Sequence, residues 1–374
     1  MGSGVYFYSY YSGEKLEMSD CLFSNCRGDD GGSFYIQDLK YDLELKNITF
    51  DNYNNNNENG YMMKIFPDND QFFISFIDCT FTNIDTNSKE GGGISLFFKV
   101  SNKLTFENTL FEHIKYDRPL NGGGAIIVLS TLKTGKVNLI VDNCTFSDVS
   151  TTGYGGAIYF NSFDYDLSVT NSIFKNTKSD KEGQAICISQ CNSNFVDITS
   201  CQFIDCCSSS SNFYVLDVFV MNLNFLNNNI SFSDSSKSCG CIKSGLISKH
   251  NYIGNIFRNA QNNKQSQSAG INENIQSSDV SIEISNNVFE GFSGLNDGLC
   301  FFIRYGVSST QATIHSNIIK DCSTSGALFK VQLESMLESY KLENFSFINN
   351  EISDKINHDF NLCPQVHIIY NDEA

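Results

Sequence analysis

The chain has 374 residues, 41% hydrophobic and 18% charged, with 25 Lys and Arg against 42 Asp and Glu, for a net charge of −17. That balance, with no basic run, argues against nucleic-acid binding, because phosphate recognition needs clustered cations. No run of about eighteen apolar residues occurs, so no transmembrane helix is expected.

The first segment, "GVYFYSYY" from Gly4, reads as a strand leaving a glycine corner. Next comes "LEMSDCLFSN", and a related sentence then recurs down the chain. Anchoring on the Phe of "CTF" at Phe146 gives the series Phe23, Phe50, Phe81, Phe111, Phe146, Phe174, Phe203, Phe232, Phe257, Phe289, Ile319 and Phe347. The spacing averages about 29–30 residues, a period typical of solenoids. Seven and five residues before each anchor sit apolar columns, such as Leu16 and Met18, Leu139 and Val141, Ile282 and Ile284. A spacing of two puts both on one face of a strand, and the residues between them, mostly polar, face water. His250 and Asn227 are exceptions in these columns.

Three residues before the anchor the column turns polar: Asp20, Asn47, Asp78, Asn108, Asn143, Asn171, Ser200, Asn229, Gly254, Asn286, Ser316 and Asn344. Nearly all are types that tolerate the left-handed region and bond their own backbone, so a corner is expected there. A second corner is expected two residues after the anchor, at Asn25, Asn52, Asn83, His113, Asp148, Asn176, Asp205, Asp234, Asn259, Gly291, Asp321 and Asn349. After a variable loop come glycine-led strands, as in "NGGGAIIV", "YGGAIYF" and "EGQAICI". Glycine allows positive φ and close backbone approach where a loop re-enters a stack. The polar runs at 52–60 and 260–279 read as enlarged loops, and the final "VHIIY" as another strand.

Three strands and three corners per period predict an all-β fold: a right-handed parallel β-helix of about twelve coils, roughly 30 residues each. Handedness follows the general rule for parallel crossovers. Residues 1–374 read as a single domain, a segment of a longer protein whose uncapped coils could make end-to-end contacts.

The pairing of Gly123-Gly124-Ala125-Ile126 and Gly155-Gly156-Ala157-Ile158 with the Phe–Asn elements resembles the polymorphic outer-membrane protein family. Those are autotransporter-type surface adhesins whose passenger is a repeat-built β-helix, a fold shared with pectate lyases. Here Asn follows Phe by two, as in Phe23–Asn25 and Phe174–Asn176. The resemblance implies a non-enzymatic, adhesin-like structural and binding protein, extracellular or at a cell surface, with a protein or glycan ligand. The alternatives are a carbohydrate-active enzyme on the same fold and an intracellular structural repeat protein with reduced cysteines.

If the chain is an enzyme, the candidates are His113, Asp148, Asp205 and Asp234. Stacked neighbours about 5 Å apart would match a retaining carboxylate pair. Against this, Asn and Gly fill the same column in other periods, which suits corner caps. No phosphate loop, zinc knuckle or other cofactor motif is present, and the remaining histidines, His250, His315, His358 and His367, share no phase. Of the 14 Cys, Cys21, Cys79, Cys144 and Cys201 share an inward column and read as small apolar fillers. Disulfides within a coil would pair Cys21 with Cys26 and Cys201 with Cys206, and less directly Cys187 with Cys191 and Cys239 with Cys241. Four glycosylation sequons, at Asn47, Asn143, Asn229 and Asn344, fall in the first corner column, which favours a stacked structural role.

Overall fold

The computed structural model describes residues 4–8, 15–26, 32–55, 62–67, 72–86, 94–98, 102–117, 122–130, 136–161, 164–189, 195–208, 214–233, 239–245, 248–262, 269–275, 280–294, 299–305, 310–324, 327–333, 345–353 and 366–370. Among these residues there is no helix, and the walls of the fold are all parallel β-sheet. The chain forms two compact units, Met1–Asn194 and Phe195–Ala374. Each is a parallel β-solenoid with about 30 residues per turn and three walls.

In the first unit, the first wall holds the alternating strands, such as Asn102–Glu107, Val137–Asp142 and Tyr165–Thr170. The second wall holds the Phe anchors, as in Leu110–Tyr116 and Thr145–Thr151. The third holds the glycine-led strands, as in Ile126–Ser130 and Ile158–Asn161. The second unit repeats the scheme. The glycine-led strand occurs seven times in the first unit and six in the second, so the count differs slightly from the twelve turns expected.

Like lies over like. Leu104 pairs with Leu139 and that with Leu167, while Phe111 pairs with Phe146 and that with Phe174. The anchor rings stack face to face, 5.1 Å apart for Phe23 and Phe50, 4.6 Å for Phe111 and Phe146, and 4.7 Å for Phe146 and Phe174. Ring separation is set by the strand spacing of the sheet, so a flat side chain is the shape that fills this column without a gap. Phe146→Leu is expected to lose two stacked pairs and destabilise the fold by about 1–3 kcal/mol. A denaturant midpoint unchanged from the parent would contradict this.

Both corner columns have the conformation expected of them. Asp20, Asn47, Asp78, Asn108, Asn143, Asn171 and Ser200 have φ of 50–58°, and Asn25, Asn52, Asn83, His113, Asp148, Asn176 and Asp205 lie at 53–57°. Two residues separate first- and second-wall strands throughout, so each corner is a tight bend rather than a loop. The corner N–H still donates to the next turn, as from Asn108 to the Asp142 carbonyl at 3.1 Å, and the ladder continues around the bend. Gly155 and Gly156 have separate reasons. Gly155 sits at φ 63°, and a Cβ on Gly156 would run into the Gln184 carbonyl oxygen of the next turn.

Two anchors are corrected. Ile230, not Phe232, pairs with Phe203 and Phe257. The alternating Leu223 and Phe225 fix that register, and Phe232 falls on the second corner instead. Phe347 pairs with Ile314 in the first wall, and Ile352 is the anchor opposite Ile319. Phe345 and Phe347 alternate as a first-wall pair does, and that alternation outweighs the aromatic match. It follows that the first corner in these turns is at Asn227 and Asn349, both with positive φ, while Asn229 lies in the second wall opposite Gln202.

Candidate functional site

The corner column places His113 and Asp148 one turn apart, with His113 Nε2 3.9 Å from Asp148 Oδ2. Both side chains are about half exposed, at 56% and 44%. Asp148 Oδ1 accepts from Asn176 Nδ2 at 3.0 Å, and its Oδ2 accepts from Ser147 Oγ at 3.1 Å. Its neighbours along the column are therefore an imidazole and an amide, and His113 Nδ1 in turn lies 3.8 Å from Glu112 Oε2. Asp205 Oδ1 accepts from the Ser233 N–H at 2.7 Å and from Ser233 Oγ at 2.9 Å. The register sets Phe232 opposite Asp205 on this corner, and Asp234 lies outside the described residues. The same bonding occurs where no acid–base role was considered: Asn83 donates to Asp51 at 2.9 Å and Asn108 to Asp78 at 3.1 Å. In both corner columns the side chains cap the next turn, at a corner residue as from Asn176 to Asp148 or beside one as from Asn83 to Asp51.

The sequons divide. Asn47 Nδ2 donates to Asp20 Oδ1 at 2.6 Å and Asn143 Nδ2 to Asn108 Oδ1 at 2.7 Å, so both exposed amides take part in the corner ladder. Asn229 is half-buried in the second wall, and Asn344 lies outside the described residues.

The second unit contains two polar arrangements that the repeat columns did not reveal. One is a ladder of asparagines, Asn228, Asn255, Asn287, Asn317 and Asn350, each two residues before its anchor. The first four are essentially buried, at 0–1% exposure. Asn287 shows the pattern. Its Nδ2 donates to the Tyr252 carbonyl at 2.8 Å and to Asn317 Oδ1 at 2.9 Å, and its own Oδ1 accepts from the N–H and Nδ2 of Asn255. The signal in the sequence was the Asn doublets at 227–228, 286–287 and 349–350, hidden where the anchor was displaced.

The other is a cluster of His250, Tyr252, Glu273 and Ser244 inside the second unit, every member buried. His250 and Tyr252 point inward from the first wall, and Glu273 and Ser244 from the third. His250 Nε2 lies 3.0 Å from the Val220 carbonyl, which can only accept, so Nε2 carries a proton. Nδ1 lies 3.0 Å from Glu273 Oε1, within hydrogen-bond distance. Tyr252 donates to the same Oε1, and its hydroxyl is 2.9 Å from Ser244 Oγ. Burial, then the Glu273 charge, pushes the Tyr252 hydroxyl well above its ordinary range. His250 was expected to join no cluster. The fold brings it to Glu273, 23 residues away, because their inward phases meet across the core. With every group sealed from solvent, the cluster meets no substrate.

The cysteine pairs expected within a coil are not disulfides. Cys21, Cys26, Cys201 and Cys206 are thiols, and Cys191 lies outside the described residues. Cys239 is bonded not to Cys241 but to Cys207, across one turn with Cα atoms 6.0 Å apart. Consecutive turns bring residues 32 apart in sequence within disulfide reach. Cys79, Cys144 and Cys201 fill the inward column at 1% exposure. Burial pushes the Cys144 thiol up to about 12. At pH 8 only about one Cys144 in ten thousand is then a thiolate. Alkylation of the native chain followed by peptide mapping is expected to mark half-buried Cys21 and Cys26 and to spare Cys144 until the chain unfolds. Equal labelling of Cys144 and Cys21 would refute the buried assignment.

Among the described residues no group of three or more His, Cys, Asp or Glu side chains is placed to hold a metal ion, and no helix is long and apolar enough to cross a membrane. No family model, curated protein or solved structure matches the chain.

Proposed function

We propose that the chain is a non-enzymatic structural and binding solenoid, displayed at a cell surface or secreted, as the resemblance to adhesin passengers implies. The supporting observation is the corner column. His113, Asp148 and Asp205 occupy the same backbone conformation as Asn25, Asn83 and Asn176, and the two aspartates make the same kind of cap. Residues that interchange with Asn in one repeated role are explained by stacking and need no reaction. The Cys207–Cys239 bond fits an oxidising compartment, where such bonds persist. The direct test is adhesion of cells or immobilised glycans to the purified chain, with a heat-unfolded sample as control. Retention by the folded chain alone is the expected result.

The second reading, a carbohydrate-active enzyme, draws on His113 and Asp148, the one described acid–base pair on this column. A panel of pectins and glycosaminoglycans is expected to remain intact. Lysis abolished by Asp148→Asn or Asp205→Asn would replace the binding reading with the enzymatic one.

A further inference from the structure

We propose that the Cys207–Cys239 disulfide is a redox latch: it holds shut one turn of the second unit where the strand ladder is interrupted, and its reduction lets that turn open. The inference goes beyond the binding reading above and does not depend on it. The two cysteines are 32 residues apart in sequence. Between them lie Tyr214–Phe219, Asn222–Leu226 and Asn229–Ser231, one strand for each wall. The bond therefore closes a complete turn of the solenoid on itself.

Strand pairing in other turns runs on past the second corner. In the first unit Ile114 pairs with Val149 and Tyr116 with Thr151. Later in the second unit Gln261 pairs with Ser293, and Ser293 with Ser323. After the corner at Asp205 the chain departs from this plan. The Asp205 N–H still donates to the Ser231 carbonyl of the next turn at 2.9 Å, but the Cys207 N–H donates back to the Asp205 carbonyl at 2.9 Å. Cys206, Cys207 and Ser208 form no strand. Cys207 reaches the next turn through its sulfur, with the two Cα atoms 6.0 Å apart. The other end is anchored in the stack. Cys239 bridges to Gln261, and the Cys241 N–H donates to the Ala269 carbonyl at 2.8 Å. A covalent bond thus stands where these other turns have a backbone ladder.

The latched turn carries partners of both buried polar arrangements. Its Val220 carbonyl lies 3.0 Å from His250 Nε2. Its Asn228 donates to Asn255 Oδ1 from the N–H at 2.9 Å and from Nδ2 at 3.2 Å. Opening the turn breaks those bonds, and the cross-link opposes opening by restricting the extended states of the loop. Both sulfurs belong to fully buried residues, so a reductant meets them only when the turn opens locally. One thiolate of a dithiol then attacks a sulfur and expels the other cysteine as a thiolate. The second thiol of the reductant displaces the remaining cysteine and leaves as a cyclic disulfide. Two electrons and two protons pass to Cys207 and Cys239. In oxidising surroundings the turn is shut, and in reducing surroundings it is released.

Hydrogen exchange of the intact chain, read by mass spectrometry over residues 214–231, is the test. Cys207→Ala with Cys239→Ala should speed exchange there by about tenfold or more. Exchange over residues 102–116 in the first unit should stay as in the parent. Cys206→Ala with Cys241→Ala removes two buried thiols beside the bond and leaves the bond in place. That variant should change exchange over 214–231 by less than about twofold. If the latch variant does not fold, the parent is reduced with dithiothreitol in mild urea, returned to buffer containing the reductant, and compared instead. Alkylation of the unfolded chain before and after reduction counts the thiols and verifies the state of the bond. Absence of the bond from the oxidised chain, unchanged exchange over 214–231 once the bond is gone, or equal acceleration in the control variant or in the first unit would overturn the proposal. Each of those outcomes leaves the binding reading to its own adhesion test.

Discussion

Replacing His250 or Glu273 alone by leucine is expected to destabilise the second unit by about 3–5 kcal/mol, whereas replacing both is expected to return stability to within about 1 kcal/mol of the parent or above it. The asymmetry follows from the surroundings. His250 is flanked in its column by Leu223 and Ile282, and Glu273 by Ser244 and Ile303, so the core around the pair is largely apolar. Removing one partner leaves the other polar and sealed from water. Glu273 Oε2 has no hydrogen-bond partner among the described residues even in the intact cluster, so its carboxyl has little else to rely on. Removing both restores the apolar columns. Tyr252 then still has Ser244 Oγ at 2.9 Å, and the main loss is the Val220 carbonyl's bond from His250. Denaturant melts of the two single variants and the double variant form a complete cycle. Additive losses would show that the pair is not a coupled unit.

The three-wall plan was legible because the sequence repeats its physics. Ile282 and Ile284 alternate with polar residues, a left-handed corner at Asn286 follows, and Phe289 closes the bend, so one turn read correctly predicts the next. Legibility failed where two cues competed. Phe232 and Phe347 carried the right side chain in the wrong phase, and alternation on the first wall overrode them. The disulfide was missed because neighbours in a solenoid are one turn apart in sequence, and the proximity of Cys201 to Cys206 along the chain says nothing about distance in space. The corner acids were found, and their bonding shows why they looked like a site. Any polar column stacked at strand spacing brings like groups together. The buried cluster had a faint sign in each half: His250 interrupts a hydrophobic column, and Glu273 falls on the inward phase of "INENI". Only the fold shows that these two exceptions face each other.

The asparagine ladder carries the other large effect. Asn287→Ala is expected to destabilise the second unit by about 3–5 kcal/mol, because one truncation removes four buried hydrogen bonds at about 0.5–1.5 kcal/mol each and leaves the Asn255 N–H without its acceptor. The Asn255 N–H and Nδ2 lose the Oδ1 they donate to, while the Tyr252 carbonyl and Asn317 Oδ1 lose the Nδ2 they accept from. In the first unit the same column holds Cys79, Thr109, Cys144 and Ser172. Thr109 Oγ1 lies 3.0 Å from the Glu107 carbonyl and 3.4 Å from that of Phe76, and Ser172 Oγ accepts from the Cys144 N–H at 3.1 Å, so a hydroxyl makes fewer bonds between turns than the four that Asn287 Oδ1 and Nδ2 make. Thr109→Ala should therefore cost only about 1 kcal/mol. Once the ladder is cut at Asn287, its neighbours have already lost partners. Asn255→Ala in that background is expected to add well under its own single loss. Denaturant midpoints of the four variants test both claims. Equal losses at Asn287 and Thr109, or full additivity along the ladder, would mean that each amide acts for its own turn and that the column transmits nothing.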